Sequence, residues 1–65
     1  MSLTTRIREY RIRDRMSQEE LAQRVGVRRE TIGNLENGKY NPSLKLAMDI
    51  AQVFGCTVED LFFFT

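Results

Sequence analysis

Between Ser17 and Gly26 the chain has room for little more than two turns of helix, and that brevity constrains everything around it. Ser17 followed three residues later by Glu20 has the pattern of a capping box, in which the hydroxyl accepts from one free backbone N–H and the carboxylate reaches back to another. Leu21, Ala22 and Val25 then share one face, and Gly26 can take the positive φ that a sharp turn demands. A further short helix is expected from about Arg28 to Asn37, stopped by Gly38, with Ile32 and Leu35 inward. Two short helices joined by so tight a turn must cross steeply and touch. Such a crossing needs a small side chain, which Ala22 supplies, and a shared core, which Leu21, Val25, Val27, Ile32 and Leu35 supply.

The rest of the chain is punctuated in the same way. Thr4 or Thr5 can cap a first helix whose apolar face is Leu3, Ile7 and Tyr10, while Arg6, Arg8, Glu9 and Arg13 point elsewhere. Lys39 to Pro42 reads as a loop, and Ser43 caps a fourth helix carrying Leu44, Ala47, Ile50, Ala51 and Phe54 at helical spacing, ended by Gly55. Thr57 with Asp60 three residues on, an acidic variant of the capping box, opens a last short helix with Val58, Leu61 and Phe62. Strand-like alternation is nowhere sustained, with one reservation at Phe62-Phe63-Phe64. The expectation is an all-α, five-helix fold forming one domain over residues 1–65, its helix-turn-helix unit at about 17–37.

Composition narrows the function classes. A chain of 65 residues can bury one modest core. Its longest apolar stretches are a few residues, against about 20 for a membrane span, and its N-terminus lacks the apolar core of a signal peptide, so a cytoplasmic protein without membrane contact is expected. The single Cys56 cannot form an internal disulfide, and without His there is neither a set of zinc ligands nor the usual base for a nucleophile. No metal, cofactor or enzymatic activity is expected. Cys56 reads as a small buried hydrophobe, with redox sensing as the rival. Net charge is only +1, but nine Lys or Arg stand against six Asp or Glu through Tyr40, and one against three thereafter. The asymmetry puts positive charge in the first two thirds, where a nucleic acid would be met, although ordinary solvated charge gives the same count.

At this point the residues carry a resemblance. Gln18-Glu19-Glu20-Leu21-Ala22-Gln23-Arg24-Val25-Gly26, then Thr31-Ile32 and Leu35-Glu36-Asn37-Gly38-Lys39, resembles the helix-turn-helix of the phage-repressor (Cro and C1, or XRE) family. Asn41-Pro42-Ser43-Leu44 and Val58-Glu59-Asp60-Leu61-Phe62 are similar to that family's following helices. The resemblance implies a lambda-repressor-like domain that binds double-stranded DNA, most simply as a repressor. It implies that Gln18 grips a phosphate, at a helix N-terminus whose free N–H groups already favour an anion, and that Asn37 and Lys39 form a second backbone clamp. For Asn37 a simple helix cap is compatible with that role. It further implies that the third helix lies in the major groove, with Arg28, Arg29, Thr31 and Asn34 toward base edges. Arg suits guanine O6 and N7 and Asn suits adenine, whereas Arg28 or Arg29 touching only phosphate is the alternative. Glu30 either accepts from cytosine or favours the helix N-terminus by its charge, the reading preferred here. Arg11 and Glu36 match a pair that in the family bridges the first and third helices.

Three departures from the family pattern stand out. Arg15 occupies a position where glycine is common and would be strained by about 1 kcal/mol in a left-handed conformation, a cost that contact with DNA backbone could offset. Arg28 stands where a small hydroxyl residue often caps the third helix. Gly33, inside that helix, costs roughly 1 kcal/mol relative to Ala and points either to a close approach or to mere tolerance.

Two such units about a twofold axis would read half-sites about 34 Å apart, so a homodimer is expected. Phe62, Phe63 and Phe64 are its candidate interface, being too dense an aromatic run for one short helix to bury; the alternative is that they close the core of the monomer. In the shortest family members the tail pairs as a ribbon across the dimer, so Phe63 to Thr65 is free to be extended. With no segment for a small-molecule ligand domain, repression by occluding a promoter is the default. A rival of another class is an antitoxin or other protein-interaction module on the same fold.

Overall fold

Three glycines and three hydroxyl side chains divide the chain into its helices. The structure is a computed structural model that describes residues 2–65. Its helices are α1 (Ile7–Arg13), α2 (Gln18–Val25), α3 (Arg29–Glu36), α4 (Leu44–Phe54) and α5 (Val58–Leu61), flanked by short strands β1 (Leu3–Thr5) and β2 (Phe62–Phe64). Ser17, Ser43 and Thr57 each sit in extended backbone before a helix and accept a hydrogen bond from the N–H three residues on. Thr57 and Asp60 complete a reciprocal capping box. Ser17 and Glu20 form only half of one, because the Glu20 carboxylate turns to Arg24 at 3.0 Å. Gly26, Gly38 and Gly55 follow α2, α3 and α4 with positive φ.

The N-terminus departs from the sequence-based expectation. Thr4 and Thr5 do not cap α1, and Leu3 is not on its apolar face: all three belong to β1, which pairs antiparallel with β2 in the register Leu3 with Phe64, Thr4 with Phe63 and Thr5 with Phe62. Thr is β-branched and Phe aromatic, so both segments fit a pleated surface better than a helix. The ladder continues through Ser2 and Thr65, which exchange two backbone bonds of 3.0 Å. Arg6 takes the N-cap position without a side-chain bond, and its own N–H donates to the carbonyl of Leu61 at 2.8 Å. The tail is therefore extended, and its ribbon partner is the chain's own beginning.

Ile7, Leu21, Ile32, Leu35, Ile50 and Leu61 are fully buried, with Met16, Ala22, Leu46, Ala51 and Phe54 around them. The core thus draws on every helix, and the ribbon closes it at one end. In α4 the inward residue of the first turn is Leu46; Leu44, expected inside, is 72% exposed. Both leucines fit a three-to-four spacing with Ala47 and Ile50, and position relative to the neighbouring helices decides between them. Cys56 packs half-buried against the core, and burial together with the charge of Asp60 pushes its thiol up, away from the reactive thiolate. Among the described residues no helix is long and apolar enough to cross a membrane.

Candidate nucleic-acid interface

The pairing of α2 and α3 presents one side of α3 to solvent. Val27 donates its N–H to the carbonyl of Ala22 at 3.0 Å, which closes the turn through Gly26 at φ 76°. Ala22 is buried at the crossing, and Leu21, Ile32 and Leu35 fill the angle between the helices. With Ile32 and Leu35 pinned inward, Arg29, Glu30 and Asn34 are exposed and Thr31 is half-buried at the margin. Arg28 is the N-cap of α3 but makes no capping bond; its guanidinium is 87% exposed and lies 4.0 Å from Glu30, itself 73% exposed. So open a pair contributes little to stability and leaves both groups available.

Behind this face lies a polar cluster centred on Glu36, whose side chain is 1% exposed. Arg11 Nε and Nη2 donate to its two carboxylate oxygens at 2.8 and 3.3 Å, a bidentate pair, while Arg11 Nη1 donates to the carbonyl of Met16 at 3.0 Å. Gln18 Nε2 donates to Glu36 Oε1 at 3.0 Å, and Arg8 Nε lies 3.5 Å from the same oxygen. Burial alone would raise this carboxyl, but the bonds from Arg11 and Gln18, with the charges of Arg11 and Arg8, outweigh it and hold the group below its ordinary value. Because Gln18 spends its NH₂ on Glu36, its carbonyl oxygen must face the other way, where it accepts from Arg29 Nη1 at 3.2 Å. Glu36, Gln18 and Arg29 thus form a relay from the buried centre to the exposed start of α3.

In the sequence Arg8 is one of several basic residues around α1. It joins the cluster on Glu36 yet remains 63% exposed, beside the N-terminus of α2. The signal that could have found it is its spacing of three from Arg11, which places both on one helix face.

The end of α3 is held by close backbone contact. Asn37 is its C-cap and exposed, Lys39 donates its N–H to the carbonyl of Asn34 at 2.9 Å, and the Lys39 side chain is exposed. Gly38, at φ 71°, lies so near β1 that a Cβ there would stand 2.7 Å from the carbonyl oxygen of Leu3. Arg15, at the turn before α2, adopts φ 53°, the left-handed region that an L side chain enters at a cost. Gly33 has no such demand on it: a Cβ would meet only Gln18 Nε2, at an ordinary 3.9 Å. The aromatic tail lies apart from this face, on β2. Phe63 stacks under the guanidinium of Arg6 at 4.9 Å, Phe62 is half-buried and Phe64 is 61% exposed.

Residues 7–61 match a family model described as Helix-turn-helix. The chain is 64% identical over 62 residues to an uncharacterized HTH-type transcriptional regulator of Archaeoglobus fulgidus, covering 95% of this chain and 87% of that protein. A similar regulator of Methanocaldococcus jannaschii is 45% identical over 95% of this chain and 94% of its own length. Among solved structures, the restriction-modification controller protein C.AhdI of Aeromonas hydrophila superposes with a TM-score of 0.77 at 33% identity, over 85% of this chain and 83% of that one.

Proposed function

This chain belongs to the Cro/C1 (XRE) helix-turn-helix family of DNA-binding transcriptional regulators, and on that footing we propose that it acts as a homodimeric repressor at a pseudo-palindromic operator. Arg28, Arg29, Thr31 and Asn34 read base edges in the major groove, and Gln18, Asn37 and Lys39 grip phosphates on either side. The observation that carries this reading is the relay through Gln18. It leaves Arg29 exposed but restrained at the start of α3, so its fork meets guanine with part of its conformational freedom already spent. The Arg11–Glu36 pair fixes α3 against α1 so that the exposed face keeps its aim.

The described residues span about 30 Å along their longest axis, so one copy covers a single half-site. Two copies reach half-sites about one helical turn apart, and the aromatic tail Phe62 to Phe64 is the part of the surface proposed to join them, since Phe64 is 61% exposed. Bound across a promoter, such a dimer represses by occlusion.

Altering the operator's phase tests this. Inserting about 5 bp between half-sites turns one away from the other and should abolish high-affinity binding and repression in a purified transcription assay, whereas about 10 bp should restore part of both. Equal binding and repression at every spacing would show that the protomers act singly.

A further inference from the structure

The row of side chains that ends at Arg29 has a second exposed end on α1. Glu36 Oε1 accepts from Gln18 Nε2 at 3.0 Å, and Arg8 Nε stands 3.5 Å from the same oxygen, so Arg29, Gln18, Glu36 and Arg8 follow one another from the start of α3, across the start of α2, to α1. Arg11 already neutralises the carboxylate: it is bidentate on Glu36, at 2.8 and 3.3 Å, with its own side chain only 14% exposed. One acid cannot neutralise two guanidinium groups, so the charge of Arg8 is surplus to the cluster. Arg8 is also held more loosely. Its side chain is 63% exposed, its nearest nitrogen approaches Glu36 without a hydrogen bond, and its two NH₂ groups have no acceptor among the described residues. An ion pair this open adds little to stability.

Gln18 indicates what the surplus charge faces. On the proposed reading a DNA phosphate lies against Gln18, yet this amide is engaged on both sides: its oxygen accepts from Arg29, and its NH₂ gives one N–H to Glu36 and keeps one. A neutral amide with one N–H left can hold a phosphate oxygen but cannot offset its charge. Arg8 and Gln18 converge on one oxygen of Glu36, so a phosphate that meets the remaining N–H of Gln18 is within reach of the Arg8 guanidinium. The two NH₂ groups of that guanidinium match two phosphate oxygens, and Glu36 restrains the side chain at Nε without using them.

We propose that Arg8 is the cation that meets the DNA phosphate at the start of α2, with Gln18 supplying an uncharged N–H beside it. The inference rests on the DNA-binding reading and deepens it, assigning the charge at that phosphate to a residue of α1.

The salt dependence of binding tests it, measured on the full chain with random-sequence duplex DNA and with a duplex site selected by the parent. Arg8→Ala removes one phosphate-neutralising charge, so the slope of log affinity against log salt should shrink by about 1 on both duplexes, and affinity at ~0.1 M salt should fall about tenfold on both. Gln18→Ala removes no charge and should keep the parental slope. Arg8→Lys, which keeps the charge, should restore the slope that Arg8→Ala loses. The chemical denaturation midpoint of Arg8→Ala should match the parent's, because the pair it breaks is exposed. If Arg8→Ala keeps the parental slope and denatures earlier, Arg8 serves only Glu36; if it keeps both slope and midpoint, Arg8 is an ordinary solvated charge. Either result overturns the proposal while DNA binding stands. If the parent binds neither duplex at low salt, the DNA-binding reading itself falls, and this inference with it.

Discussion

Gln18 stands between Glu36 and Arg29, giving its NH₂ to the buried carboxylate at 3.0 Å and its oxygen to the exposed guanidinium at 3.2 Å. An amide can serve both partners only in one orientation, so the carboxylate decides how Arg29 is held.

Gln18→Ala should therefore weaken DNA binding in two ways. On the proposed reading it removes a phosphate contact, which lowers affinity for every sequence, and it frees Arg29, which relaxes discrimination at the base proposed for Arg29. The loss of discrimination should amount to about 1–2 kcal/mol at that position and little elsewhere. Competition binding against operators changed one base pair at a time separates the two effects. A uniform loss at all positions would leave Gln18 a phosphate contact only.

Arg11→Ala leaves the Glu36 carboxylate buried with only Gln18 and the partly exposed Arg8. Breaking such a pair from one side costs about 3 kcal/mol, more than an exposed ion pair ever contributes. Chemical denaturation should show that loss. Amide exchange should show faster opening of α3, and DNA affinity should fall even where the variant is fully folded. Unchanged affinity in the folded variant would separate the pair from the aim of α3.

The same cluster sets a dependence on pH. Glu36 titrates below its ordinary value of 4.5 in the folded chain, so it contributes stability above that value, and the contribution is lost as pH falls through the folded one. Asp60, lowered by the backbone and side-chain bonds of Thr57, acts in the same direction. Thermal melting should hold steady from neutral pH to about 5 and fall steeply below 4. Glu36→Gln should flatten that fall while lowering the plateau.

Arg15→Gly should make the chain more stable and a poorer binder. Releasing φ 53° from an L side chain recovers up to about 1 kcal/mol, partly offset by the greater freedom of glycine when unfolded. If Arg15 touches the DNA backbone, the slope of log affinity against log salt should shrink by about 1. A stabilised variant with the parental slope would make Arg15 strained for no gain in binding.

Gly26→Ala and Gly38→Ala separate strain from collision. Both positions are left-handed, but a methyl group at Gly26 meets open space, whereas at Gly38 it meets the Leu3 carbonyl oxygen at 2.7 Å. The first should cost about 1 kcal/mol and the second roughly 2–4, with β1 displaced from α3. Denaturation midpoints measured side by side decide it, and equal costs would mean that β1 does not lie against Gly38.

These residues also show how far a sequence can be read. Ser43, Thr57 and Gly26 act through neighbours three or four residues away, so the ends of α2, α4 and α5 are legible from the chain alone. Thr4 and Thr5 are equally good caps and strand formers, and what settles their conformation is a partner strand at the opposite end of the chain. Leu44 and Leu46 are separated only by where the other helices lie. On α3, exposure of Arg28, Arg29 and Asn34 follows from the buried spacing of Ile32 and Leu35. The convergence of Arg8, Arg11 and Gln18 on Glu36 does not, because three separate helices must first be packed before those side chains meet.

Selecting binding sites from a random duplex pool with the purified chain shows whether the exposed face of α3 reads a twofold DNA sequence. The expected result is enrichment of a pseudo-palindrome with half-sites about one helical turn apart, whose selected bases change when Arg29 or Asn34 is replaced. Failure to enrich any sequence at low salt, where phosphate contacts are strongest, would contradict it.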